Sequence, residues 1–329
     1  MPFAFSEGGA TPMAKYRHQL PQADGGLFLS DGGMETALIF LQGLDLPQFA
    51  AFVLLNDEPG RAELVKYYEN FLPIARQSGL GFVLDTATWR ANLDWGRLIG
   101  FDAIGLKAVN VAAVELVAAL RDRWETPSTS IVLNGVIGPR GDGYKAGRME
   151  AAEAEDYHAF QVEIFAGTSA DMVSAVTMNT VNEAVGIARA AKTAKMPCVI
   201  SFTVETDGRL ADGTMLRAAI EATEEATGGS PAYYMVNCAH PTHFEPALAR
   251  DEAWVKRIYG VRANASAKSH AELDQSETLD IGDMADLSRR YLMLTRAFPS
   301  MRILGGCCGT DHRHIAAICE ACAPESAAA

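Results

Sequence analysis

Short apolar runs alternate along this chain with longer stretches whose apolar positions recur at helical spacing. Eight runs have strand length: Leu27 to Leu29, Gly81 to Leu84, Ser130 to Leu133, Asp171 to Val176, Cys198 to Phe202, Tyr233 to Val236, Lys256 to Tyr259 with Val261, and Met301 to Leu304. Each runs into polar or glycine residues, among them Asp31-Gly32-Gly33, Asp85-Thr86, Asn134-Gly135, Thr177-Met178-Asn179, Thr203, Asn237-Cys238 and Asn264. Short apolar runs bounded by turn residues read as buried strands. Between them the spacing predicts helices over Arg61 to Gln77, Leu106 to Trp124, Glu150 to Ala166, Val181 to Lys195, Met215 to Thr227, Met284 to Phe298 and Thr310 to Cys322. The stretch Phe244 to Arg257 is the weakest of the helical set. Thr310 suits the N-cap of the last helix, because its hydroxyl can accept a free backbone N–H.

Strand and helix alternation argues for a parallel sheet, and eight repeats argue for closure into a single-domain (β/α)8 TIM barrel. The barrel is expected over residues 26–322. Residues 1–25 hold Pro, Gly, Gln and scattered charges and read as a flexible N-terminal arm, and 323–329 as a disordered tail.

Composition narrows the partners. Apolar residues make up 49% of the 329 residues, enough for a large core. Lys and Arg number 28 against 41 Asp and Glu, a net charge of −13. An acidic chain lacks the basic face that nucleic acid or an anionic membrane demands. No uninterrupted apolar run approaches the roughly 18 residues of a membrane span. Six cysteines in a chain this long do not make a disulfide framework, so a cytoplasmic, reduced protein is expected.

The chemistry concentrates in Leu304-Gly305-Gly306-Cys307-Cys308-Gly309-Thr310, just past the eighth strand. Adjacent cysteines in a glycine turn pair poorly with each other, but their sulfurs can converge on one soft cation. Catalytic zinc takes three protein ligands and keeps a fourth position open. Barrel chemistry sits at the C-terminal strand ends. The other cysteine so placed is Cys238, past strand six; Cys198 begins strand five, and Cys319 and Cys322 lie in the last helix. His240 and His243 are rival ligands or loop caps. The plain alternative is that the cysteine pair packs as small core residues.

These motifs resemble the homocysteine S-methyltransferase family: Asp31-Gly32-Gly33, Asn237-Cys238 and Gly305-Gly306-Cys307-Cys308-Gly309-Thr310, supported by Gly138-Pro139, Ser201-Phe202-Thr203, Asn264 and His314-Ile315. The resemblance spans about Leu27 to Ile318. It implies a barrel with Zn2+ held by Cys238, Cys307 and Cys308, and methyl transfer from an onium donor to a thiol acceptor, homocysteine giving methionine. It also implies a substrate pocket over Asp31, Gly32, Gly33, Asn237 and Asn264, to which the residues themselves add Glu35, Trp89 and Arg90 as candidates. The partners are therefore small molecules, with a homo-oligomer left open.

Two departures from that pattern bear on the acceptor. Where the family's fourth strand ends in a glutamate that meets the amino group of homocysteine, this chain has Val176, and Leu38 is followed by Ile39 rather than Glu. Glu35, or else Glu205, is expected to point into the mouth in compensation. Failing both, the acceptor is a different thiol or selenol; a non-enzymatic thiol or metal-binding role is the third reading. Trp89 is the candidate wall for an onium cation, or a loop-packing residue. Arg90 beside it either meets a carboxylate on the donor or pairs with Asp85 or Asp94. Asp142 and Tyr144 either line the pocket or form a turn.

Overall fold

The computed structural model describes residues 13–323. Its eight strands close into one parallel barrel in sequence order, β1 pairing with both β2 and β8. They are β1 (Phe28–Leu29), β2 (Gly81–Asp85), β3 (Ile131–Ile137), β4 (Met172–Met178), β5 (Cys198–Phe202), β6 (Tyr233–Asn237), β7 (Ile258–Ala263) and β8 (Ile303–Gly306). Both faces of a barrel strand are covered, so the strands read as continuous apolar runs. Phe28, Val83, Val132, Met172, Val199, Tyr233 and Ile303 pack in one cluster with Leu20. Leu29, Phe82, Leu84, Ile131 and Leu133, their neighbours in sequence, join a second cluster shared with the helices. This alternation is the period of two expected of a strand.

Several elements depart from the expected bounds, each for a local reason. The stretch 61–77 is two helices, Glu58–Glu69 and Leu72–Gln77. Pro73 stands in the first turn of the second, where its missing N–H costs nothing. No long helix fills 244–257. Pro246 stops the short helix Pro241–Phe244, and 3-10 turns follow at Glu245–Ala247 and Val255–Arg257. The last helix, His312–Cys322, is capped by Asp311, whose side chain accepts from the Arg313 N–H. Thr310, the expected cap, donates its hydroxyl to the Cys307 carbonyl instead, at 2.7 Å.

The helix Ala103–Trp124 is long and apolar enough to cross a membrane by composition. Here Leu106, Val109, Val114, Val117 and Leu120 are buried in the shell between barrel and helices. Near its end Arg121 pairs with the buried Asp171 at 2.9 Å.

The expected loose arm is, from Lys15 onward, fixed to the N-terminal end of the barrel. Arg17 donates to the carbonyls of Ala166, Thr168 and Ala170, and the Tyr16 N–H donates to Asp171 at 2.7 Å. Gln22 is fully buried, its amide 3.2 Å from the Tyr233 hydroxyl. The sequence pattern concealed this because the segment contributes single anchoring residues rather than a periodic face. Residues 1–12 and 324–329 lie outside the described residues.

Candidate active site

The polar strand ends converge on a cavity of about 580 Å³ at the C-terminal mouth. Asp31, Gly32, Gly33, Glu35, Trp89, Arg90, Asn237, Cys238, Asn264, Cys307 and Cys308 all line it, as do Asp142, Tyr144 and Val176. Glu205 is instead held by His270, with Oε1 2.9 Å from Nδ1. His240 caps the helix Pro241–Phe244, and His243 faces the Ala267 carbonyl at 2.9 Å. Cys319 contacts Ser78, on the outer shell.

The sulfurs of Cys238, Cys307 and Cys308 lie within 4.8 Å of one another, with Cys238 and Cys308 at 3.5 Å. All are free thiols. Cys238 reaches this position through a left-handed backbone, φ 55°, a conformation costing about 1–3 kcal/mol for a residue with a Cβ. Its carbonyl is held by three donors: His270 Nε2 at 2.6 Å, Asn264 Nδ2 at 3.0 Å and Thr203 Oγ1 at 3.4 Å. The Cys307–Cys308 turn is pinned by Cys307 N–H to the Ala263 carbonyl at 2.8 Å and by Ala265 N–H to the Cys308 carbonyl at 3.0 Å. Gly33 packs directly against this turn. A Cβ there would lie 2.5 Å from the Cys307 carbonyl oxygen, so only glycine fits.

Contacts from the Cys238 and Cys308 thiols, with Arg262 nearby, hold the Cys307 thiol well below its ordinary pKa. The other two are pushed up, as befits three ionisable sulfurs sharing one space. Arg262, on β7, bridges Asp31 and Asp85 and donates from Nε to the Gly306 carbonyl at 3.3 Å. Tyr67 and Asn134 satisfy the remaining oxygens of the two aspartates at 3.0 and 2.7 Å. Burial still lifts the Asp31 carboxyl to about 7, with Arg262 opposing the rise. Glu35, on the wall, is likewise raised to about 7, first by burial and then by Cys307 and Asp31.

Tyr144 stacks on His270, ring centroids 4.1 Å apart, and brings its hydroxyl to 2.9 Å from Cys238 Sγ and 3.9 Å from Cys308 Sγ. Asp142 has the expected turn role, accepting the Tyr144 N–H at 2.8 Å. Asn237 ties strand ends together. Its Oδ1 accepts from Thr177 N–H and Ser201 Oγ at 2.9 and 2.7 Å, and its Nδ2 donates to Thr177 Oγ1 at 3.0 Å. That anchors Thr177, itself left-handed at φ 62°. The Trp89 ring is not free for a substrate cation on both sides, because the Arg90 guanidinium lies 4.0 Å from its centroid.

Sequence reasoning missed Arg262, His270, Phe40 and Phe49. Arg262 sits one residue before the end of β7, inside an apolar run where a charged residue reads as outward-facing. The signal that could have found it is the pair of strand-end aspartates needing a counter-charge. Phe40 and Phe49 are 42% and 46% exposed at the cavity rim.

The architecture and site together define a barrel enzyme with a thiol-lined mouth. Solved structures of the same fold include the homocysteine methyltransferase MmuM from Escherichia coli. Its metallated form matches with a TM-score of 0.69 at 20% identity, covering 92% of this chain and 99% of that one. Its oxidized form matches with 0.70 at 20% identity and the same coverage, and its apo form with 0.61 at 20%, covering 93% and 100%. A comparison with curated proteins returned no match. The homocysteine S-methyltransferase family matches residues 28–322. The chain belongs to that family, and it is a methyltransferase.

Proposed function

We propose that this enzyme moves a methyl group from a sulfonium or ammonium donor to a thiol at a zinc site formed by Cys238, Cys307 and Cys308, with homocysteine as acceptor and methionine as product. One observation carries the reading: three cysteine sulfurs within 4.8 Å at the mouth of a cavity large enough for two small substrates. The donor set fits zinc. Tetrahedral Zn–S bonds of about 2.3 Å separate ligand sulfurs by about 3.8 Å, close to the 3.5 Å between Cys238 and Cys308. When bound, zinc would deprotonate an incoming thiol and hold it as the nucleophile.

The protein's own residues do the rest. The thiolate lone pair forms the new S–CH3 bond as the methyl–onium bond breaks, and the bonding pair leaves with the departing heteroatom. That group departs neutral, so no acid need protonate it. This agrees with His240 and His243 serving loop and cap roles. The Tyr144 hydroxyl stands over the cysteines, where it can donate a hydrogen bond to sulfur. Asp31, Glu35, Asp85 and Asp142 outnumber Arg90 and Arg262 in the lining, which favours a cationic donor. Glu35 offers the carboxylate for the acceptor's ammonium.

A second reading, a thiol or selenol acceptor without an amino group, is favoured by Val176, which lines the cavity where the family resemblance implies glutamate. The test is direct. Purified enzyme should bind one zinc per chain and form methionine from homocysteine with S-methylmethionine or betaine. Cys238→Ser should abolish both. Turnover with other thiols but not homocysteine would select the second reading; no bound zinc and no methyl transfer would sink both.

A further inference from the structure

Arg90 is a buried cation with no carboxylate in ion-pair contact, although Glu35 and Asp142 act on its charge from farther off. It is 9% exposed and lines the active-site cavity. Its guanidinium is clamped between two indoles, 4.0 Å from the Trp89 centroid and 3.7 Å from that of Trp95. Its hydrogen bond to protein is from Nη1 to the Gly141 carbonyl at 3.1 Å, and its Nε has no partner. The two acids nearest in sequence are engaged elsewhere: Asp85 with Arg262, and Asp94 with Arg140 at 2.7 Å. No carboxylate lies within ion-pair distance of Arg90 among the described residues.

Such an arrangement is costly unless something completes it. Burying an unpaired charge is strongly penalised, and Arg stays protonated rather than neutralising. Stacking between aromatic rings offsets part of this cost and fixes the plane of the guanidinium, leaving its N–H edges as the unsatisfied feature. A planar guanidinium on a cavity wall, with donors beyond the one given to Gly141, matches a carboxylate, which can accept two parallel hydrogen bonds. A bare onium cation offers these donors nothing to bond.

We infer that Arg90 is the carboxylate-binding residue of this active site, selecting a substrate whose reactive sulfur or nitrogen is joined to a carboxylate. The methyl-transfer reading is used only to say which molecules that carboxylate can belong to: donor or acceptor. The donor subsite is thus not a simple aromatic cage around Trp89, since the protein's own cation occupies one of its faces.

The test is calorimetric binding to the zinc-loaded enzyme with two matched pairs of probes. The donor pair is S-methylmethionine and its decarboxylated analogue, (3-aminopropyl)dimethylsulfonium. The acceptor pair is homocysteine and 3-aminopropane-1-thiol. Wild type should bind the acid at least about tenfold tighter in one pair, the scale of a charge-assisted, two-pronged contact; which pair tells donor from acceptor. Arg90→Met, which keeps the aliphatic stem between the indoles, should shrink that ratio to below about threefold. Arg90→Lys, which keeps the charge but not the fork, should leave an intermediate ratio and serves if the Met variant does not fold. Ratios near one in both pairs for wild type, or a ratio that survives both substitutions, overturn the inference. Carboxylate discrimination without methyl transfer in a parallel turnover assay leaves Arg90's role standing and removes the reaction.

Discussion

Nε2 of His270 lies 2.6 Å from the carbonyl oxygen of Cys238. The same imidazole faces Glu205 through Nδ1 and supports Tyr144 on its ring. His270 therefore holds both a left-handed cysteine and the phenol that approaches its sulfur. His270→Ala should weaken zinc binding by about 10–100-fold, the usual effect of losing an outer partner of a metal ligand. Asn264→Ala, removing a longer bond to the same oxygen, should do less. Competition with a chromophoric chelator measures both; unchanged affinity in the His270 variant would mean that the carbonyl does not set the sulfur's position.

Gly33→Ala should damage the same site from the other side. The added methyl would sit 2.5 Å from the Cys307 carbonyl oxygen and 2.6 Å from Thr36 Oγ1. Overpacking of this kind costs about 1–3 kcal/mol, and here the atom that must yield belongs to a cysteine turn. The expected outcome is lower zinc occupancy together with a lower urea midpoint. Gly141→Ala, with nothing within 4 Å of the added Cβ, is the matched control and should change neither.

Glu35→Gln should weaken homocysteine binding by about 1–3 kcal/mol, the worth of one hydrogen bond to a charged group, while zinc content stays constant. Titration calorimetry with the zinc-loaded variant reads this. Undiminished affinity would remove Glu35 as the ammonium partner and strengthen the case for an acceptor lacking an amino group.

Asp311 provides a pH signature. Burial opposes its charge, but hydrogen bonds from His314 and from Arg313, side chain and backbone, hold its carboxyl well below the ordinary carboxylate range. A depressed folded-state pKa gives stability that is fully present above the unfolded value of about 3.9 and is lost as pH falls through the folded one. Asp311→Ala should therefore cost about 0.5–2 kcal/mol near neutrality, as for loss of an N-cap. The gap from wild type should narrow as the pH falls below about 4. A gap that instead widened in acid would contradict the assignment.

The barrel was legible because its strands are covered on both faces and so run apolar without interruption. The three cysteines were legible because strand-end positions in a barrel share one mouth. Pairings set by register were not. Arg90 had Asp85 and Asp94 within a few residues, yet β2 and β7 bring Asp85 to Arg262, and a loop past β3 brings Arg140 to Asp94. No local pattern encodes which of two arginines wins an aspartate. The segment from Met13 to Gly25 was read as loose for a related reason. Its attachment rests on Arg17 and Gln22 reaching groups more than a hundred residues away.

β1 is the shortest stave of the barrel. With only Phe28 and Leu29 in register against β2 and β8, the cylinder has a short stave beside the turn that carries Cys307. What keeps it shut there is a clasp: Ser30 N–H to the Leu304 carbonyl, Gly306 N–H to the Asp31 carbonyl, Gly33 N–H to the Thr310 carbonyl, and Arg262 across Asp31 and Asp85. A cation drawn in by Cys238 and the Cys307–Cys308 turn would tie β6 to β8 beside that clasp, so loading the site and sealing the cylinder become linked events. Metal starvation would then cost this enzyme its shape along with its chemistry, beginning with faster deuterium uptake at Ser30, Gly33 and Gly306.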